Sequence, residues 1–244
     1  MKKAAFRALV ILAASAAAIL ALNIPVTTRQ GVDFEIREIR IPLYLKALDF
    51  MDRYYNYGVL ADRITSGEKS GFGKAVAILK WTKENIRENP GSLPVVDDHA
   101  WHIIIRGYGL DDQCQDVFTT LCNREGLGAF FVKVTLPGKS RARCFSLVYL
   151  NGGWTVFDAY KGIYFINSEG KPAILKQIGN GDWKAVKASP GSGSEDYPGF
   201  MKQLASAGDT VNAASWKDSR AAIQSPVRRL FHWLKGDKRQ AYGD

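Results

Sequence analysis

The chain opens with an uncharged apolar run that is long enough to cross a lipid bilayer. "MKKAAFR" carries three cations, and "ALVILAASAAAILALNIPV" continues for nineteen residues without a charge before Arg29. Because backbone amides have no water to bind inside a bilayer, such a segment is expected to form a single helix. The cations of "MKKAAFR" favour a cytoplasmic N-terminus. The chain after residue 27 is therefore expected on the extracytoplasmic side, in a periplasm or at a cell surface.

The same run leaves two fates open for residues 1–27. A cleaved signal peptide needs small residues three and one positions before the cut, and Ala16 and Ala18 supply them only inside the apolar run. Ile19 spoils the corresponding pairing with Ala21. We therefore favour an uncleaved signal anchor over a signal peptide.

Composition limits the rest of the chain to one main domain with appendages. Of its 244 residues, 46% are hydrophobic, which suits one sizeable core. The formal net charge is +9, but the 33 cations are scattered among 24 acids without an arginine-rich run. Nucleic acid is therefore not an expected partner.

The periodicity of the sequence suggests four segments after the anchor. Residues 28–73 are predicted to form a helical extension because "IPLYLKALDFMDRYYNYGVLADRI" has helical spacing. Residues 74–187 form the predicted core, and residues 188–224, with "ASPGSGSEDYPG", a flexible linker. Residues 225–239 read as a basic amphipathic helix that either lies on an anionic membrane or docks on its own domain.

Within the predicted core, one helix precedes three strands. "GLDDQCQDVFTTLCNREG" predicts a helix capped by Asp111 or Asp112, with Cys114 in its first turn, where the helix dipole favours a thiolate. The strand-like runs "LGAFFVKVTL", "RCFSLVYL" and "WTVFDAY" follow, the last two joined by "NGG", which is typical of a hairpin. The pattern predicts an α+β fold.

This order resembles the transglutaminase-like domain of the papain-type cysteine-protease fold, from about Lys74 to Ala159. The resemblance implies helices packed on an antiparallel sheet, Cys114 at the nucleophile position and Asp158 at the position of the orienting carboxylate. The family's histidine lies eleven residues before the tryptophan that corresponds to Trp154, and Arg143 stands there in this chain.

Arg143 cannot serve as the base. Its guanidinium stays protonated, so it can hold a negative charge but cannot take and return a proton. His99 and His102 in "DDHAWH" are possible substitute bases.

Strand parity provides a check on these positions. With a tight turn at "NGG", Arg143 and Asp158 share a face of the sheet. A one-residue bulge would place Cys144 on that face instead, where it could pair with Cys114 in a disulfide. We favour the arrangement with Arg143 beside Asp158, and we expect its positive charge to make the Cys114 thiol acidic.

Two functions remain open from the sequence. We favour a catalytically impaired relative that binds a peptide or an envelope polymer in its cleft. The alternative is an active cysteine hydrolase or acyltransferase that acts on amide bonds, with Cys114 attacking. No metal site is predicted because "DDHAWH" lacks both HxxxH and paired CxxC spacing, and no cofactor is predicted either.

Overall fold

The computed structural model describes residues 2–32, 35–93, 99–136, 142–193 and 196–206, together with Ser225. The chain divides into two compact units, Met1–Arg53 and Tyr54–Asp244. The predicted helix at residues 225–239 lies outside the described residues apart from Ser225.

The first unit contains the apolar N-terminal helix and a hairpin. Its elements are α1 (Lys2–Leu22), β1 (Pro25–Val32), β2 (Glu35–Pro42) and the beginning of α2 (Leu43–Thr65). In α1, Lys3–Leu22 is long and apolar enough to cross a membrane, with a mean hydropathy of 2.2.

The hairpin corrects the prediction of a helical extension at residues 28–73. β1 and β2 pair antiparallel, from Pro25 opposite Pro42 to Val32 opposite Glu35. β-branched residues recur in "PVTTRQGV" and "EIREIRIP", and they favour an extended backbone over a helix. The helical pattern begins only after Pro42, at α2.

The second unit combines helices with a five-stranded antiparallel sheet, which confirms the predicted α+β class. The sheet has the strand order β5-β6-β7-β8-β9, and the short strands β3 and β4 pair in parallel elsewhere. After α2, the elements follow in this order: α3 (Gly71–Asn85), β3 (Arg87–Glu88), α4 (Ala100–Arg106), β4 (Tyr108–Gly109), α5 (Asp111–Arg124), β5 (Ala129–Thr135), β6 (Ala142–Leu150), β7 (Gly153–Asp158), β8 (Ile163–Ile166), α6 (Leu175–Gly179), β9 (Lys184–Lys187) and α7 (Pro198–Ser206).

Alternate residues of β6 and β7 belong to two different apolar clusters. Val148 of β6 and Phe157 of β7 pack in one cluster with the buried side of α5. Leu147 and Val156, the neighbouring residues along each strand, pack in the other cluster with α7. Because successive side chains of a strand point to opposite faces, helices cover both faces of this part of the sheet.

The tight turn between β6 and β7 confirms the predicted hairpin. Leu150 pairs with Gly153, and the two turn residues, Asn151 and Gly152, both have positive φ, at 50° and 86°. Positive φ at both central positions is the geometry that Asn-Gly favours. The register of β6 and β7 runs without a bulge from Ser146 opposite Phe157 to Leu150 opposite Gly153, which fixes the faces of the flanking residues.

A helix also stands within the segment predicted as a flexible linker, residues 188–224. α7 buries Phe200, Met201 and Leu204 against the sheet. These residues follow i, i+1, i+4 spacing, so they share one side of a helix. The glycine- and serine-rich composition before Pro198 obscured this short amphipathic pattern.

Candidate active site

Cys114 lies at the beginning of α5, as predicted. Leu110 is the N-cap residue, and the Cys114 amide makes a helical hydrogen bond of 3.0 Å to the Leu110 carbonyl. The predicted caps, Asp111 and Asp112, are instead the first two residues of the helix. The Gln113 side chain accepts a hydrogen bond from the Leu110 amide at 3.1 Å. This is the bond that the third helical residue makes to the N-cap backbone in a capping box.

Asp111 is displaced from the capping role because its carboxylate binds the sheet. Its Oδ2 accepts from the Arg143 Nε at 2.9 Å and from the Cys144 amide at 2.8 Å. The carboxylate therefore ties the first turn of α5 to β6. A sequence pattern of helix caps cannot reveal such a partner, which lies 32 residues further along the chain.

Arg143 and Asp158 form a buried ion pair. The Arg143 Nη2 donates to the Asp158 Oδ2 at 2.9 Å, and the two side chains are 4% and 0% exposed. This contact confirms that the two residues share a face of the sheet. Cys144 lies on the opposite face, and all three cysteines are free thiols in the structure, so the alternative with a bulge and a disulfide between Cys114 and Cys144 is wrong.

Two further donors hold the Asp158 carboxylate. The hydroxyl of Tyr197 donates to Oδ2 at 3.0 Å, and the backbone amide of Lys161 donates to Oδ1 at 2.9 Å. Tyr197 immediately precedes α7 and is buried. Through Tyr197, the start of α7 is thereby attached to the same carboxylate as Arg143.

Gln115, the residue after Cys114, is fully buried and uses its whole hydrogen-bonding capacity. Its Nε2 donates to the Cys144 carbonyl at 3.0 Å and to the Asp111 Oδ1 at 3.2 Å. Its Oε1 accepts from the Ser146 hydroxyl at 2.6 Å and from the Ala159 amide at 3.1 Å. Two donated and two accepted bonds satisfy a primary amide, so this side chain fixes α5 against both β6 and the end of β7.

The environment of Cys114 opposes ionisation, and the predicted acidic thiol is wrong. The side chain is buried in the apolar cluster that also contains Val148 and Phe157. Burial raises the pKa of the thiol well above that of a free cysteine. The carboxylates of Asp111 and Asp158 raise the pKa further, and Lys83 offsets only part of the effect. The helix dipole is thus outweighed by loss of solvent and by two nearby negative charges.

His99 and His102 stand at the start of α4. His99 is the N-cap residue of that helix and makes no capping hydrogen bond with its side chain. The two imidazole rings have centroids 5.9 Å apart, and both residues are partly buried. Their assignment as substitute bases stays a prediction.

Sequence reasoning missed three side chains of this region. Gln115 and Tyr197 carry no motif, since each is recognised only through partners from distant strands. Lys83 lies on α3, and its Nζ donates to the Tyr160 carbonyl at 3.2 Å. Local patterning reports which side of a helix is apolar, but it does not report which polar side chain a distant strand will meet.

The part of the chain that carries Cys114, Arg143 and Asp158 matches a known family. The model of the transglutaminase-like superfamily matches residues 59–159, a range that includes Cys114, Arg143 and Asp158. No curated protein matches the chain.

Comparison with solved structures finds proteins that share little sequence with this one. A candidate cysteine protease from Cytophaga hutchinsonii is 16% identical, with a TM-score of 0.40, over 55% of this chain and 47% of that one. A candidate protease from Parabacteroides distasonis is 13% identical, with a TM-score of 0.37, over 70% and 40%. A TGase is 11% identical, with a TM-score of 0.33, over 55% and 43%. The chain spans less than half the length of each of these proteins.

The geometry of the site and the family match concern the same part of the chain. A cysteine at the start of a helix faces a sheet whose strands carry an arginine and an aspartate in contact. Residues 59–159 are therefore similar to a transglutaminase-like domain.

Asp158 makes the stability of the fold depend on pH. Burial raises the pKa of its carboxyl from an ordinary 3.8 to about 6, although Arg143 and the hydrogen bonds of Lys161 and Tyr197 act in the opposite direction. The folded state therefore holds a proton that the unfolded state releases. This contribution to stability is complete below pH 4 and is lost as the pH rises through 6, by about 2–3 kcal/mol.

Urea unfolding of wild type and Asp158→Asn between pH 4.5 and 7.5 measures this contribution. The free energy of unfolding of wild type relative to the variant is expected to fall across that range, because the variant lacks the titrating group. A difference that stays constant with pH would show that Asp158 does not titrate there.

Proposed function

We propose that this protein is a membrane-anchored, catalytically impaired relative of the transglutaminase-like enzymes that binds a peptide without turning it over. In this proposal Cys114, Arg143 and Asp158 occupy the nucleophile, base and acid positions of the family. The observation that carries the proposal is the ion pair of Arg143 with Asp158 at the place where a base is needed.

Acyl transfer from an amide needs proton movements that these residues do not provide. The nucleophile must lose a proton, the leaving amine must gain one, and water must later be activated. Arg143 is permanently charged and is also held by Asp111. Cys114 is a buried thiol whose pKa is raised. Neither Cys114 nor Arg143 is therefore ready for the reaction.

An active cysteine hydrolase would require another base. His99 and His102 are the candidates, and both lie on or next to α4, which precedes α5 in the chain. In the enzyme alternative one of them would have to reach Cys114 and exchange its proton within hydrogen-bond distance. We favour the binding function because the buried thiol would need to be exposed before either histidine could act on it.

Localisation forms a separate part of the proposal. α1 carries cations only near its N-terminal end, at Lys2, Lys3 and Arg7, so the domain is proposed to lie outside the cytoplasm. A fusion after residue 30 to a reporter that is active only outside the cytoplasm should be active and membrane-bound. A soluble cytoplasmic fusion would contradict this orientation.

Peptide retention tests the binding function. The full chain, purified in detergent and immobilised through its C-terminus, is incubated with a defined mixture of synthetic peptides and, separately, with soluble fragments of a bacterial envelope polymer. We expect wild type and Cys114→Ala to retain the same peptides in equal amounts, with unchanged masses. Retention of the polymer fragments alone would overturn the choice of a peptide, and retention of neither ligand would overturn the binding function.

A further inference from the structure

The first two turns of α2 expose a group of large apolar side chains. Leu48 is 61% exposed, and Ile24, which follows α1, is 53% exposed. Leu43, Tyr44 and Leu45 are each about two-fifths exposed. Contiguous apolar side chains on the surface of a folded unit mark a contact with another apolar phase or with a partner.

This group is fixed directly beside the end of α1. The backbone amide of Leu43 donates to the Ile24 carbonyl at 2.9 Å. The Lys46 Nζ donates to the Thr27 carbonyl at 2.7 Å. The hairpin thus returns the chain to within two residues of the end of α1 before α2 begins, so the beginning of α2 is held at the level of Ile24.

The position and chemistry of the group favour lipid as its partner. The helix segment Lys3–Leu22 is the candidate membrane span, so its C-terminal end would lie where acyl chains meet headgroups. The exposed side chains of Leu22 and Ile24 continue the apolar surface of α1 towards α2. Tyr44 suits this boundary because an aromatic ring with a hydroxyl prefers the membrane interface.

Lys46 and Asp49, the first two charged residues of α2, both have partners within the first unit. Lys46 is the first charged residue of α2, and its ammonium is turned to the hairpin. Asp49 is exposed and pairs with Arg53 at 2.9 Å. Asp49 follows Leu48 by one residue, about 100° further round the helix, so a polar side adjoins the apolar one.

We propose that the first turns of α2, together with Ile24, lie in the headgroup region of the bilayer and form a second membrane contact beside α1. The contact would hold the first unit against the lipid surface rather than leave it tethered by α1 alone. This inference rests on the proposed anchoring by α1, but it is independent of the proposed peptide binding.

Spin labels in the reconstituted full chain test the contact. A nitroxide is attached at Leu48→Cys, at the matched control Asp49→Cys and, as a reference for the anchor, at Leu12→Cys, in vesicles of phosphatidylcholine and phosphatidylglycerol. Collisions with oxygen report an apolar environment, and collisions with a neutral nickel chelate report water. Wild type provides the background, since its three cysteines are buried.

We expect the label at residue 48 to be at least severalfold more accessible to oxygen than to the nickel chelate, and the label at residue 49 to show the opposite preference. Equal access of the chelate to both labels, with residue 12 in lipid, would overturn the contact while leaving the anchor intact. A water-accessible label at residue 12 would overturn the anchor itself and the contact with it. Dipolar broadening between labels at residue 48 would identify a second copy of the chain as the partner and would also overturn the proposal.

Discussion

Replacing Arg143 with methionine is expected to lower the free energy of unfolding by about 3–5 kcal/mol, because the substitution leaves a buried carboxylate without its cation. Asp158 is fully buried, and Arg143 also neutralises Asp111. Methionine retains much of the length of the arginine side chain, so the loss reports mainly the charge. Urea unfolding of the full chain in detergent at pH 7.5 measures it.

Two variants show whether the loss comes from the buried pair. Asp158→Asn added to Arg143→Met should recover part of the stability, because it removes the orphaned charge. Lys171→Met breaks the pair with Glu169, in which both side chains are more than 60% exposed, and it should leave the free energy of unfolding almost unchanged. If Arg143→Met were as mild as Lys171→Met, the ion pair would not hold the fold in the way described.

The Cys114 thiol is expected to resist alkylation in the folded protein. At pH 7.5, iodoacetamide should modify it at least about a hundredfold more slowly than in guanidinium chloride, because each unit of raised pKa removes about tenfold of the reactive thiolate. Burial and the carboxylate of Asp111 are the causes. Intact-mass measurement followed by peptide mapping gives the rate at each cysteine.

Cys122 provides an internal control for this measurement. It is completely buried, and its pKa is also raised by burial. Cys114 and Cys122 should therefore be protected to a comparable degree and should both react in denaturant. Selective modification of Cys114 below pH 7 would instead reveal an activated nucleophile.

The sequence predicted the hairpin of β6 and β7 and the pairing of Arg143 with Asp158, because both follow from local rules. An Asn-Gly turn sets the register of two strands, and the register decides which residues share a face. Residues 143 and 158 are therefore placed without knowledge of the rest of the fold.

The acidity of Cys114 could not be predicted in the same way. The helix dipole acts within the first turn and can be read from the sequence, but burial depends on how α5 packs on β6 and β7. Gln115 is decisive for that packing, since it joins Ser146 and Ala159 to the start of α5. Its partners lie 31 and 44 residues away along the chain, beyond the reach of any local pattern.

The sequence did not predict the hairpin of β1 and β2 or the helix α7, and the two omissions have different causes. β1 and β2 contain β-branched residues that favour strands, but the stronger helical period that begins after Pro42 masks this local signal. α7 has helical spacing in only nine residues, which is too short to be stable without the sheet it packs on. Tertiary packing, rather than propensity, makes that segment helical.

Comparison of wild type with Cys114→Ala is the most direct test of impaired catalysis. Both full-length proteins are incubated in the same detergent with a defined peptide mixture and a primary amine, and cleavage and amine incorporation are followed by mass spectrometry. Cys122→Ala, which alters another buried cysteine, controls for loss of folding. We predict that wild type yields no product beyond that of Cys114→Ala. Cleavage or amine incorporation by wild type and Cys122→Ala, absent from Cys114→Ala, would contradict the account.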